Sequence, residues 1–210
     1  HFRLYASIHI PFEELEEWAL RHEFYFHRQQ KLLEIDWPEQ RKINSYIYRD
    51  AWQKQQLVGA KSTSFVPIWL LQDQLHIAYE HLPAVLEHEM VHVLAKQFGN
   101  VWLNGSWNIV LVEGLAEALT QNTSAHSTLD QLVAVRPSYP TADQMSSLFR
   151  PLGFYAQSSG LSYTIAGSFV GYLMENYPLD LLKNSYKKSR LSEEYPAMDL
   201  LVKNWHTHLD

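Results

Sequence analysis

Cysteine is absent from the 210 residues. That removes disulfides, thiolate metal sites, cysteine nucleophiles and dithiol redox chemistry together. Any metal ion must therefore be held by histidine and carboxylate. No apolar run approaches the ~18 residues of a membrane helix. There is no basic run either: 17 Lys and Arg stand against 23 Asp and Glu, for a net charge of -6. Binding to a phosphate backbone is disfavoured by that balance, so nucleic acid is not an expected partner. Internal repeats and low-complexity tracts are also missing. The start at His1 rather than Met reads as a trimmed or processed chain, compatible with removal of an export signal.

What is present is apolar and aromatic. Hydrophobic residues make up 46% and aromatics 13%, with seven Trp and twelve Tyr, well above the composition that leaves a chain disordered. The length suits one core or two small lobes sharing a cleft.

Local patterns divide the chain. From Pro11 the apolar positions Phe12, Leu15, Trp18 and Ala19, with Glu13, Glu14, Glu16 and Glu17 first and Arg21, His27, Arg28 and Lys31 later, predict a helix matched to its dipole. The glutamates there read as a solvated helix start. Ile43 to Arg49 alternates and reads as a strand, Asp50 to Leu57 as a short helix, and Ser64 to Leu71 with Leu75 to Glu80 as two strands around a turn. Pro83 opens a largely buried helix that runs to Phe98 and stops at Gly99-Asn100. Beyond it, helices are expected from Asn104 to about Gln121, Ala142 to Leu148, Ser162 to Tyr177, Asp180 to Arg190 and Glu194 to Trp205, with no strand. His206 and His208 read as an exposed tail.

The chemistry concentrates in His88-Glu89-Met90-Val91-His92. On a helix, positions four apart share a face, so the two imidazoles can converge on one ion while Glu89 leans over an open coordination position. A catalytic zinc takes three protein ligands and leaves one position for water. The metzincin third histidine is lacking, since its positions hold Ala95 and Phe98, and a deformylase site would require cysteine. Glu113 and Glu117, four apart on an otherwise apolar helix, remain. Two ionised carboxylates in such a setting are costly to bury without a cation or donors. Glu113 is positioned to bind the ion and Glu117 to accept the N–H of a ligating imidazole; the alternative is a solvent-facing pair.

H-E-x-x-H followed about twenty residues later by Glu-Gly, with a second acidic residue four on, resembles the gluzincin metallopeptidases, both thermolysin-like and aminopeptidase N-like. The resemblance covers roughly Leu75 to Leu173. It implies His88, His92 and Glu113 as ligands of a single Zn²⁺, Glu89 as general base and Glu117 as the supporting carboxylate. In the aminopeptidase-like subgroup a helix patterned like Tyr163 to Leu173 begins with a tyrosine that donates to the oxyanion, a role that falls on Tyr163, with Tyr155 as competitor. Gly167 and Gly171, one and two turns on, permit close helix approach. In gluzincins the edge strand before the motif pairs with extended substrate, which implies substrate binding along Ile77, Ala78 and Tyr79. His76 and His81 flank that strand and read as packing or surface residues. The Trp-Leu pair of the aminopeptidase-like pattern is displaced here, and its Gly-Ala-Met-Glu-Asn motif is missing. Endopeptidase action or narrow peptide specificity is therefore as well supported as aminopeptidase action.

The expectation is an α+β, gluzincin-like fold. Residues 1–96 form a mixed α/β lobe with a small sheet that ends in the motif helix, and residues 97–210 form a mainly helical lobe, with a cleft between. The expected activity is peptide-bond hydrolysis by a zinc-activated water with Glu89 as base, on a peptide or protein substrate. Two rival readings are a latent or non-catalytic metal-binding interaction module and a hydrolase of non-peptide amides.

Overall fold

The computed structural model describes all residues except 61–72, 101–104, 121–127, 135–138, 151–152, 155–158 and 189–190. The chain is mixed α/β, mostly helical, with one three-stranded parallel sheet. It divides into two units, His1–Gln97 and Phe98–Asp210. No helix among the described residues is long and apolar enough to cross a membrane.

In the first unit, β1 (Phe2–Ala6), β2 (Ile43–Tyr48) and β3 (Gln74–Ala78) lie in that order, with Tyr5, Tyr46 and His76 in one row across the sheet. Parallel pairing requires crossovers, and helices supply them. α1 (Phe12–Leu32) connects β1 to β2, and α2 (Ala51–Val58) follows β2. α1 starts with Glu13 and Glu14 and ends near Lys31, complementing its dipole. Its buried stripe is Trp18, His22, Phe26 and Gln29. On the sheet side His22 Nε2 meets Ser45 Oγ at 2.9 Å, and Phe2 packs edge-on against His22 and Phe26. Asp50 caps α2 by accepting from Gln53 N, and Gly59 closes it at φ 78°, a left-handed conformation suited to glycine.

β3 leads through a single 3₁₀ turn, Tyr79–His81, into α3 (Leu82–Ala95). Its start is pinned by Arg41, which forks onto Asp73 at 2.6 and 3.0 Å. Pro83 occupies the first turn of α3, where its missing N–H costs nothing. Glu87, buried on α3, accepts from both Arg28 and Gln29 of α1 and ties the two helices together.

The strand expected over 64–71 lies outside the described residues. The strand expected to reach Glu80 ends at Ala78, because Tyr79 begins the 3₁₀ turn. β1 was not anticipated from local pattern.

The second unit is built from α4 (Ile109–Leu119), α5 (Leu129–Ala134), α6 (Ala142–Leu148), α7 (Ser159–Asn176), α8 (Leu179–Lys187) and α9 (Met198–Leu209). α4 starts later than Asn104. Asn100 and Gly105 form an isolated bridge ahead of it, and Asn108 is the residue that caps Leu111 N. α4 and α7 cross at close range: a Cβ on Gly114 would sit 2.5 Å from Ala166 O, and one on Gly167 would sit 2.7 Å from Glu117 Cβ. Trp205 of α9 is fully buried and donates to Ser168 Oγ, which donates in turn to Asp130. The tail expectation for His206 and His208 is corrected as to helical structure, while His208 is exposed as expected. Both lie in the last turn of α9, with His206 Nε2 3.0 Å from Pro140 O and His208 Nε2 3.4 Å from Asp130 Oδ2.

Candidate metal centre

α3 is the most thoroughly buried helix of the first unit, yet its burial is uneven. Leu86, Glu87, Glu89, Met90, Val91, Val93, Leu94 and Ala95 are buried, whereas Val85, His88, His92 and Lys96 form a half-buried stripe. Four-residue spacing puts both motif histidines on that stripe. Their Nε2 atoms are 3.0 Å apart and their rings stand at 84° with centroids 4.7 Å apart.

That separation bears on whether the pair fits a metal ion. Two Zn–N bonds of about 2.0–2.1 Å at the tetrahedral angle place the nitrogens about 3.3 Å apart. The observed 3.0 Å is within a few tenths of that value, and both histidines present the same nitrogen, as two ligands of one ion must. His88, His92 and Glu113 are donors of the type that could hold a metal ion, and nitrogen with oxygen ligands suits zinc among the biological metals.

Glu89 is buried at 7% exposure, on the same helix turn as the histidines. A buried carboxylate needs a compensating charge, and Lys54 supplies one. Lys54 is the buried residue of α2. Burial pushes its ammonium below the ordinary lysine range, while the carboxylates of Glu89 and Glu80 oppose the shift. Sequence reasoning missed this cation, since one lysine in a short polar helix gives no periodic signal.

His76, behind the motif helix on β3, belongs to a polar network. Its Nδ1 lies 2.8 Å from Tyr48 Oη and its Nε2 3.2 Å from Gln74 Oε1. Burial, with help from the charge on Lys54, pushes the imidazole down to about 4. The neutral ring can then accept from the Tyr48 hydroxyl and donate through Nε2 to Gln74. Burial pushes the Tyr48 phenol up to about 12, so it stays a donor at neutral pH. Stacked rings of Tyr5, Tyr46 and His76, each pair 4.9 Å apart, line the same row. Of the strand residues expected to meet substrate, Ile77 and Ala78 are wholly buried, and Tyr79 sits in the 3₁₀ turn. Among the described residues β3 is at the margin of the sheet.

In the second unit, Glu113 and Glu117 are half-buried on α4, between the buried positions Val110, Leu111, Gly114, Leu115 and Ala116. Neither is fully exposed, which goes against a purely solvated pair. The buried phenol of Tyr186 is pushed upward by desolvation and secondarily by the Glu113 carboxylate, so Glu113 faces the α8 region. Gly114 permits the approach of α7, and Gly167 of α7 receives Glu117. Tyr163 is half-buried on the first turns of α7, its ring edge-on to Phe154 at 5.1 Å. Its competitor, Tyr155, lies outside the described residues.

No family model, curated protein or solved structure matches the chain.

Proposed function

We propose that the chain is a zinc-dependent metallopeptidase of gluzincin type, with His88, His92 and Glu113 as ligands of one ion. The observation that carries the proposal is the pair of Nε2 atoms 3.0 Å apart on α3, with the buried Glu89 one step round the same helix. Coincidental H-E-x-x-H strings have no reason to be helical or to leave both histidines on the open stripe of an otherwise buried helix.

When bound, zinc supplies a Lewis acid and lowers the pKa of a water from 15.7 to about 7. The chain's own residues do the rest. Glu89 takes the proton of the attacking water as the oxygen adds to the scissile carbonyl carbon. It then delivers that proton to the amide nitrogen as the C–N bond breaks, leaving a carboxylate and an amine. Tyr163 donates a hydrogen bond to the carbonyl oxygen as negative charge develops there, a contribution of roughly 10²–10³ in rate by analogy with other oxyanion donors. Glu117 accepts an imidazole N–H and fixes the orientation of a ligand.

The purified chain, given an unselected peptide mixture, should cleave peptide bonds, stop when the metal is chelated, and resume when zinc is returned. A chain that holds zinc and cleaves nothing would place it instead among non-catalytic metal-binding modules. Turnover of small amides without peptide cleavage would mark a different amide hydrolase.

A further inference from the structure

Next to the contacts that α1 makes with the sheet, three donor side chains gather. Glu23 and His27 are four apart on α1, and His1 reaches them from the start of β1. His1 Nδ1 lies 2.7 Å from Glu23 Oε2, and His27 Nε2 lies 3.7 Å from the same oxygen. One ligand atom from each residue falls within 4.8 Å of the other two. These separations bracket the ~3.3 Å between donors on a tetrahedral zinc ion.

The arrangement is held by groups that are not donors. Ile43 N bonds to His1 O at 3.0 Å, so the sheet fixes the backbone that carries the imidazole. The His1 ring stacks on Phe26, centroids 4.1 Å apart, and Phe26 is wholly buried. Glu23 Oε2 is the oxygen that faces both rings. Glu23 and His27 need no rearrangement, since a single helical turn sets their spacing.

We propose that His1 Nδ1, Glu23 Oε2 and His27 Nε2 form a divalent-metal site, separate from His88 and His92 and independent of the peptidase reading. Two imidazoles and a carboxylate select zinc or a neighbouring late first-row ion over magnesium or calcium. The bound ion joins the start of β1 to the middle of α1, and so stabilises the fold by mass action.

The test uses the full chain carrying His88→Ala and His92→Ala, dialysed against Zn²⁺ and analysed for metal, with a thermal melt run in parallel. The site predicts a single retained ion and a melting temperature that rises with zinc. Both effects should vanish on adding His27→Ala, while His81→Ala in its place leaves them intact. Should the doubly substituted chain not fold, the same comparison in the otherwise unaltered chain predicts that His27→Ala lowers zinc content by one ion without changing peptide cleavage. Zinc content and melting temperature that ignore His27→Ala in either background would overturn the proposal, and the interaction would then be an imidazole–carboxylate contact alone. Loss of cleavage with His27→Ala would contradict the claim that the two sites are separate.

Discussion

His88 and His92 bring like nitrogens to 3.0 Å of each other across a single turn of α3, with their rings nearly perpendicular. Two neutral imidazoles achieve this by sharing one hydrogen bond, and two metal ligands achieve it by pointing at a common ion. Helix geometry puts the pair in place in both cases, and metal analysis distinguishes them. Glu89 is buried beside the pair, with the buried Lys54 as a source of compensating charge. Keeping a charged acid and base inside a small unit costs stability, which is readily understood where the carboxylate has chemical work to do.

Glu89→Gln tests that assignment. Glutamine keeps the shape and cannot take a proton, so the variant should fold, retain its metal and lose peptide cleavage by roughly 10²–10⁴, the usual span for a general base. Metal analysis beside a kinetic assay separates the two properties. Full activity in this variant would remove Glu89 from the reaction.

The glycines of the second unit make a paired prediction. Alanine normally improves a helix interior over glycine by about 0.5–1 kcal/mol. At Gly114 the added Cβ meets backbone, Ala166 O at 2.5 Å, so α4 and α7 must separate. Gly114→Ala should destabilise by about 1–3 kcal/mol, as overpacking does. At Gly171 the new Cβ meets only Ala118 Cβ at 3.9 Å, an ordinary contact. Gly171→Ala should be neutral or stabilising, so denaturant melts should show a loss of stability for Gly114→Ala and none for Gly171→Ala.

Acid should weaken the first unit through His22. Burial holds this imidazole down to about 4 in the folded chain, against 6.5 when unfolded. Above pH 6.5 neither state is protonated and its contribution to stability is complete. As pH falls from 6.5 towards 4 the unfolded state binds the proton first, so stability drops by about 1.4 kcal/mol per pH unit over that window. His76, also pushed down to about 4, adds a loss of the same sign. Urea melts between pH 7 and 4 should show the fall. His22→Gln, which does not titrate, should flatten it, and an unchanged slope in that variant would refute the assignment.

Much of this was legible in the sequence, and the exceptions have physical causes. α1 and α3 announce themselves through dipole-matched charges and a first-turn proline, both local signals. The H-E-x-x-H spacing needs only helix periodicity to be interpreted. β1 was not legible because its partner is β2, on the far side of α1, and five residues carry no pattern of their own. The start of α4 was misplaced because Asn104-Gly105-Ser106 reads as a helix start, whereas the cap is made by Asn108, which accepts from Leu111 N. The burial of Lys54 depends on Glu89 and Glu80, which are distant in sequence, so composition points to the surface instead. His206 was read as tail because a helix end looks solvated until Trp205 is seen to be fully buried.

The central claim is that two imidazoles of α3 and the carboxylate of Glu113 hold one zinc ion for hydrolysis. Zinc content of the purified chain and of its His92→Ala and Glu113→Ala variants, measured after identical dialysis with His27→Ala present throughout, tests it most directly. The account predicts one ion in the parent and a marked loss in both variants, with peptide cleavage falling in parallel. Undiminished zinc and cleavage in Glu113→Ala would contradict it.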